Sequence, residues 1–245
     1  IFFFFLGSYI SARQVNIIAS GLGKASGLNL DVAWNKGISV DQKFKLFKHD
    51  AMFSADYFRN DFNDQVVVDI ENARAVNFSN LQGRSYSNSF QAELSFEPVN
   101  KFEARIAYRY FDVKSTYNGK LLERPLIAKN RAFVNLAYAV KGFKFDYTVT
   151  YNGKKRLPDT QANLPVYQLP QYSPDFMLMN AQVLKTIGKN SQFDFYLGAE
   201  NLTNYFQKNV IVSSNQPFGN YFDASMVWGP VNGRMFYFGM RYKIK

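Results

Sequence analysis

The chain has 245 residues and a formal net charge of +10, with 47% apolar and 18% aromatic residues. It has no cysteine and a single histidine, His49. That excludes disulfides, thiolate metal sites and cysteine nucleophiles, and leaves almost nothing for a zinc site or histidine catalysis, so no metal or cofactor is expected. No apolar run reaches the roughly 20 residues that a membrane-spanning helix needs.

Apolar residues instead recur at every second position, the signature of strands with one greasy and one wet face. Ten strands are predicted. The first, Ile1–Val15, opens on Phe2-Phe3-Phe4-Phe5, which does not alternate. Asp31–Phe44 follows, with Val32, Trp34, Ile38 and Val40 in one phase, then Ala51–Phe62 with Phe53, Ala55 and Tyr57. Tyr86–Glu97 carries Phe90, Ala92, Leu94 and Phe96. Phe102–Phe111 separates most cleanly: Phe102, Ala104, Ile106, Tyr108 and Tyr110 oppose Glu103, Arg105, Ala107 and Arg109. Next come Arg131–Val140, Phe143–Tyr151 and Phe176–Ile187. In Phe193–Asn201, Asp194 and Glu200 share the wet face. The last strand sets Phe236, Phe238, Met240, Tyr242 and Ile244 against Tyr237, Gly239, Arg241 and Lys243.

The connections alternate in length without exception. Lys45–Asp50, Pro98–Lys101, Lys141-Gly142 and Gly188–Gln192 are short. Asn16–Leu30, Glu71–Arg84, Asp112–Asn130, Asn152–Asp175 and Leu202–Gly233 are long. A soluble sandwich has no reason to keep that rule, whereas a transmembrane barrel does, with tight periplasmic turns and long extracellular loops. The fold class read from the pattern is therefore all-β, an antiparallel up-and-down transmembrane β-barrel or part of one. Glu103, Arg105, Arg109, Asp194, Glu200 and Arg241 then face the lumen, and Phe236, Phe238, Met240, Tyr242 and Ile244 face lipid. The start lacks an initiating Met and a basic leader, which favours a piece of a larger wall over a complete small barrel.

Lys and Arg are spread over strand ends, turns and loops rather than gathered on one element, so the positive charge fits outer-membrane lipid and lipopolysaccharide better than nucleic acid. Gly21–Gly27 is glycine-rich, but no helical pattern follows it, so it reads as a surface loop and not a phosphate cradle. Asn77-Phe78-Ser79 and Asn201-Leu202-Thr203 are formal sequons without meaning in a bacterial outer membrane. Arg124, Lys154, Lys155, Arg156, Tyr167, Tyr172, Phe218, Tyr221 and Trp228 sit in long loops and are the candidate substrate contacts. For the aromatics the competing reading is that they pack on one another to order a long loop. Arg124, Lys129 and Arg131, with Arg105 and Arg109 below them, form a basic stretch of inner wall. His49 lies in a short turn beside Asp50, the wrong end for a surface hydrolase, and no Ser-His-Asp arrangement can be assembled around it.

Four segments resemble the C-terminal half of a TonB-dependent outer-membrane receptor, with details similar to Bacteroidota members. Leu28-Asn29-Leu30-Asp31-Val32-Ala33-Trp34-Asn35-Lys36-Gly37 resembles the family's L-x-P-E-x-x-x-x-E-x-G start of a barrel strand, with Leu30, Asp31 and Lys36 replacing Pro and the two acids. Tyr57–Val66 is similar to a strand end of the family. Gly198-Ala199-Glu200-Asn201-Leu202-Thr203-Asn204-Tyr205 resembles its penultimate strand and loop, and Gly233–Tyr242 its closing strand. Two departures are the Lys243-Ile244-Lys245 ending in place of a terminal aromatic, and Ser89-Phe90-Gln91 where a Gly often precedes an acid.

The resemblance implies that residues 1–245 are about ten C-terminal strands of a barrel of about 22, with the plug domain and TonB-binding segment upstream. It implies TonB-driven import of a scarce nutrient: a siderophore, metal chelate, vitamin, glycan or peptide, with a surface lipoprotein as a further partner. The alternatives are a complete small barrel acting as a passive pore or adhesin, a barrel enzyme, and a structural subunit of an outer-membrane complex.

Overall fold

The computed structural model describes residues 2–11, 27–71, 75–188 and 191–244, the first segment by its backbone. Its strands are β1 (Phe2–Ser11), β2 (Asp31–Leu46), β3 (His49–Asp64), β4 (Val66–Asp69), β5 (Asn77–Asn80), β6 (Ser85–Val99) and β7 (Phe102–Tyr117). They continue with β8 (Lys120–Glu123), β9 (Asn130–Val140), β10 (Phe143–Asn152), β11 (Phe176–Ile187), β12 (Phe193–Glu200) and β13 (Met235–Tyr242).

One antiparallel sheet runs in the order β1-β2-β3-β6-β7-β9-β10-β11-β12-β13, with β8 attached to β7 and β4-β5 a separate hairpin. Each strand on the main path pairs with its neighbours in that chain order, an up-and-down meander. Among the described residues no ladder joins β1 to β13, so the path is an open wall.

The ladder registers carry each strand's alternation across the whole sheet. Phe238 stands opposite Leu197, which stands opposite Val183, then Phe145, Tyr138 and Phe102. One row higher, Phe236, Ala199, Ala181, Tyr147, Leu136, Ala104, Phe96, Ala51 and Phe44 line up. Phe102 to Tyr110 is roughly 27 Å of extended chain at about 3.4 Å per residue, close to the roughly 25 Å apolar belt of a transmembrane barrel once strand tilt is allowed for. The large side chains of these rows are exposed or half-exposed, with Leu197 at 59% and Phe236 and Phe238 at 72%, while the small Ala51, Ala104 and Ala199 lie buried between them. A contiguous apolar surface of this extent marks contact with a nonpolar medium. Above the row Ile38, Tyr57, Phe90 and Tyr110 the same face turns abruptly to Lys36, Arg59, Asn88 and Asp112. The hydroxyls of Tyr57 and Tyr108 reach up to Asn88 Oδ1 (3.2 Å) and Asn130 Oδ1 (2.7 Å), the placement of an interfacial aromatic girdle. Near the opposite rim the Lys185 ammonium covers the Phe143 ring and donates to the Lys141 carbonyl, snorkelling out of the belt.

The short connections are tight. Phe47-Lys48 and Lys141-Gly142 each place two consecutive residues at positive φ, the two-residue turn whose twist matches antiparallel strands. The strands outrun their sequence-predicted ends where alternation fades: β7 continues to Tyr117 and folds back onto β8, although Asp112–Asn130 reads as loop. The Glu71–Arg84 loop likewise contains β5, with residues 72–74 outside the described set. Asn201, Lys243 and Ile244 fall just beyond their strands. Residues 12–26, including the Gly21–Ser26 loop, and the Lys189-Asn190 tip also lie outside the described residues.

Glycines on the polar face let aromatic rings lie across the strands. A Cβ at Gly198 would overlap the Tyr237 ring, and one at Gly239 would overlap the Tyr196 ring. Each ring covers the glycine directly opposite it, and Tyr237 crosses Gly198 to donate to Gln182 Oε1 at 2.9 Å. Gly239→Val is expected to lower stability by about 1–3 kcal/mol through overpacking. The reading is the urea midpoint of the lipid-embedded protein, with Gly229→Ala, which meets only ordinary contacts at 3.5 Å or more, as the neutral control.

Candidate functional site

The long connections gather at the end of the sheet opposite the two-residue turns, and a buried ion pair fastens three of them. Arg156 forks onto Glu71, with Nη1–Oε2 at 3.1 Å and Nη2 on Oε1. Its Nε donates to the Glu123 carbonyl, and its guanidinium stacks over Tyr117 at 6.0 Å. Glu71 Oε2 also accepts from the Asp159 amide at 2.9 Å. The Arg156 side chain is 6% exposed and that of Glu71 17%. Beside this clamp Lys129 bridges Asp112 (3.0 Å) and Glu123 (3.2 Å). Burial opposes the Lys129 charge, but the two carboxylates outweigh it and push the ammonium pKa up.

The 201–234 loop has its own organiser, which sequence reasoning missed. Gln207 is buried, donates to the Met226 carbonyl at 2.7 Å and accepts from the Trp228 and Gly229 amides at 2.8 and 3.0 Å. A glutamine inside an aromatic-rich loop carries no periodic signal, so nothing in the sequence announces this staple. It presents Trp228 to the stacked pair Phe176 and Tyr205, whose rings lie 4.9 Å apart. Lys155 is held here too, over the Phe176 ring with its ammonium on the Trp228 carbonyl. Burial pushes its pKa down, and the charge of Arg131 adds to the shift.

The nine loop residues singled out in the sequence therefore separate. Arg156, Lys155 and Trp228 are spent on folding the loops. Tyr172 is half spent, since its hydroxyl donates to Glu123 Oε2 at 3.3 Å while 39% of the residue stays exposed. Tyr167 and Tyr221 meet ring to ring at 5.5 Å and join two loops. Arg124 and Lys154 are exposed, and Phe218 is 94% exposed. Next to Tyr167 an open depression of about 550 Å³ is lined by 166–169 and 209–215, with no acid or base in its walls.

On the sheet, the registers place Glu103, Arg105, Arg109, Asp194, Glu200 and Arg241 on one polar face. A depression of about 750 Å³ crosses that face over β2, β3, β6, β7 and β9, so it is the concave one. Arg105 forks onto Glu93 through two 2.7 Å bonds. Asp194 accepts from Thr186 Oγ1 at 2.7 Å and pairs with Lys243 at 2.9 Å. His49 opens β3 at the turn end, 3.9 Å from Glu97, far along the strand from the loops. No cluster able to hold a metal ion occurs among the described residues.

Removing one partner of a buried ion pair strands the other, at a cost of about 3–5 kcal/mol. Glu71→Ala is accordingly expected to loosen the 153–175 loop, seen as faster amide exchange and protease cleavage there. The double variant Glu71→Ala with Arg156→Met is expected to recover part of the protection, because no buried charge is left unpaired.

Comparison with known proteins places these features. Residues 7–202 match the model of the TonB dependent receptor-like β-barrel family. No curated protein matches the chain. Among solved structures, the chain is similar to the ferric-catecholate import receptor Fiu of Escherichia coli K12, with a TM-score of 0.64 at 13% identity over 96% of this chain and 32% of that one. It is also similar to the copper transporter OprC, at 0.67 and 12% over 89% and 32%. For the siderophore receptor PiuA of Acinetobacter baumannii the values are 0.56 and 18% over 88% and 29%. The chain thus spans about a third of these proteins' length, and at such identities the likeness is one of fold. The family is one of receptors and transporters rather than enzymes. On the family match and the two-faced antiparallel wall together, the chain belongs to the TonB-dependent receptor β-barrels of the bacterial outer membrane.

Proposed function

We propose that the chain is the C-terminal wall of a receptor that imports a scarce nutrient, with a plug domain and a TonB-binding segment contributed by other parts of the polypeptide. The observation that carries this reading is the pairing of a membrane-compatible wall with ordered loops at one rim only. Phe236, Phe238, Met240, Tyr242 and Ile244 are 55–87% exposed and continue the apolar face toward lipid. Glu103, Arg105, Arg109, Asp194, Glu200 and Arg241 line the lumen on the concave face. A passive pore needs no such investment in loop order as the Arg156–Glu71 clamp and the Gln207 staple.

The substrate contacts come from the exposed loop side chains Arg124, Lys154 and Phe218, beside the Tyr167–Tyr221 pair that joins two loops. Lys155 and Arg156 act behind them by holding the loops in place. The outward-facing charges just above the aromatic girdle, Lys36, Arg59 and Arg84, meet lipopolysaccharide phosphates.

The test compares growth of a strain lacking the receptor with its parent under separate limitation for iron, cobalamin and complex glycan. The expected result is a defect under one limitation, reproduced in full by loss of TonB. A defect indifferent to TonB identifies a passive pore, and no defect under any limitation argues against import. Within the same strain, Phe218→Ala combined with Tyr167→Ala is expected to reduce uptake at least tenfold while leaving the folded barrel at normal abundance.

A further inference from the structure

One level of the concave face brings two cations together across a single ladder. Arg109 on β7 and Arg131 on β9 stand directly opposite each other in the ladder. Like charges so placed repel, their Cβ atoms being roughly 5 Å apart. Among the described residues neither guanidinium has a carboxylate within 4.0 Å. The Arg109 Nε is buried with no acceptor, and its guanidinium leans over the Phe111 ring at 5.3 Å. The flanking positions offer no charge: Gln91 is opposite Arg109 on β6, and Asn152 is opposite Arg131 on β10. The acids of adjoining strands are engaged elsewhere, Glu93 by Arg105 and Asp56 by the Ser39 hydroxyl. Lys155 adds a third cation just above, beyond Asn152. The two arginines line an open depression of about 370 Å³ that also takes in Gln91, Thr150 and Phe133, with the closed Arg105–Glu93 pair at its edge.

The contrast with the next level down is informative. Arg105 lies four residues before Arg109 on the same strand, and there a glutamate on β6 closes the fork completely. At Arg109 the equivalent partner is missing although the cation count is higher. A sheet position that gathers cations, leaves a guanidinium nitrogen dry and unbonded, and opens onto a depression is arranged for an anion supplied from outside the wall.

We propose that Arg109 and Arg131 form an oxyanion-binding site on the inner wall, taking a carboxylate, phosphate or comparable oxygen pair between their two forks. The proposal rests on the reading of the concave face as the barrel interior. The oxyanion comes either from solution, borne by a ligand, or from a carboxylate elsewhere in the same polypeptide, and the experiment separates the two. The sequence names both arginines as part of a basic wall, but only the ladder register shows that they oppose each other.

The experiment uses the full-length receptor in detergent, with Arg109→Gln/Arg131→Gln as the test variant and Lys120→Gln, an exposed lysine of β8, as the control. Folding is verified by the heat-dependent gel shift of an intact barrel. Inorganic phosphate is the probe, followed by phosphorus NMR titration. Binding by the wild type and the control, weakened at least tenfold in the double glutamine variant and partly retained in Arg109→Lys/Arg131→Lys, establishes a site open to solution. No phosphate binding by the wild type, with polypeptide outside the barrel wall becoming protease-sensitive in the double glutamine variant, assigns the site to a carboxylate of the receptor itself. If the wild type binds no phosphate and the variant changes neither reading, the proposal is overturned. Import is scored separately by the TonB-dependent growth defect, so either conclusion can fail without the other.

Discussion

Inside a bilayer no water is available to satisfy a peptide group, and this single constraint organises the wall. Each N–H and C=O must find a partner on an adjacent strand, so only a continuous ladder is tolerated at that depth. The cheapest way to keep a ladder unbroken is a meander in which every strand pairs with the one before and the one after. That is the path taken by the ten strands of the main sheet. Irregular backbone is confined to the ends, as the two-residue turns show at one rim and the long loops at the other. Where the ladder outlasts the apolar belt, as in β7 beyond Phe111, hydrogen bonding no longer has to exclude water, and polar residues such as Asp112, Lys114 and Ser115 take over the strand.

Because the ladder fixes which way every second residue points, charge is sorted by the backbone before any ion pair forms. On the apolar face within the belt, an ionisable side chain is admitted only where it can reach a rim, as Lys185 does. On the concave face charges are common, and some are neutralised by a cross-strand partner, as Glu93 is by Arg105 and Asp194 by Lys243. The loops obey a third rule. They stand in water, yet Arg156 is buried there, because a fork onto Glu71 and the Glu123 carbonyl organises three connections around one side chain. A basic run such as Lys154-Lys155-Arg156 is thus three different things: an exposed cation, a half-buried donor to Trp228 and a structural clamp.

These differences explain what could be read from sequence. The period-2 pattern places all ten strands of the sheet, because in the belt the alternation is enforced by the medium itself. It fails at the strand tops, where β7 and β8 continue without an apolar face, and at the β4-β5 hairpin, which lies outside the belt altogether. Candidate site residues are harder, since the same side chain serves packing or binding according to a partner far away in the chain. Arg156 and Glu71 are 85 residues apart, and no local pattern joins them. The stacking of Phe176 on Tyr205 and the Gln207 staple are equally nonlocal, so the aromatic loop residues could be named without being sorted into structural and exposed.

The segments that carry the family resemblance show why identity is legible while substrate is not. Asn201 adopts a left-handed conformation at the end of β12. Its amide nitrogen donates to the Tyr205 and Asn232 carbonyls at 2.7 and 3.2 Å, and its oxygen accepts from Thr203 and Tyr205. Asn204 Oδ1 accepts the Arg234 amide at 2.9 Å, the Arg234 guanidinium returns to the Leu202 carbonyl at 2.7 Å, and a Cβ on Gly233 would sit 2.6 Å from that same Asn204 oxygen. The Asn-Leu-Thr-Asn-Tyr stretch and the Gly-Arg pair are thus the two halves of one hydrogen-bonded clasp, closing a loop of about thirty residues at its neck. The clasp fixes how the last two strands enter the wall, and the loop above it is ordered separately by Gln207. The residues that carry the resemblance are thus spent on closing the neck, physically apart from exposed loop residues such as Phe218.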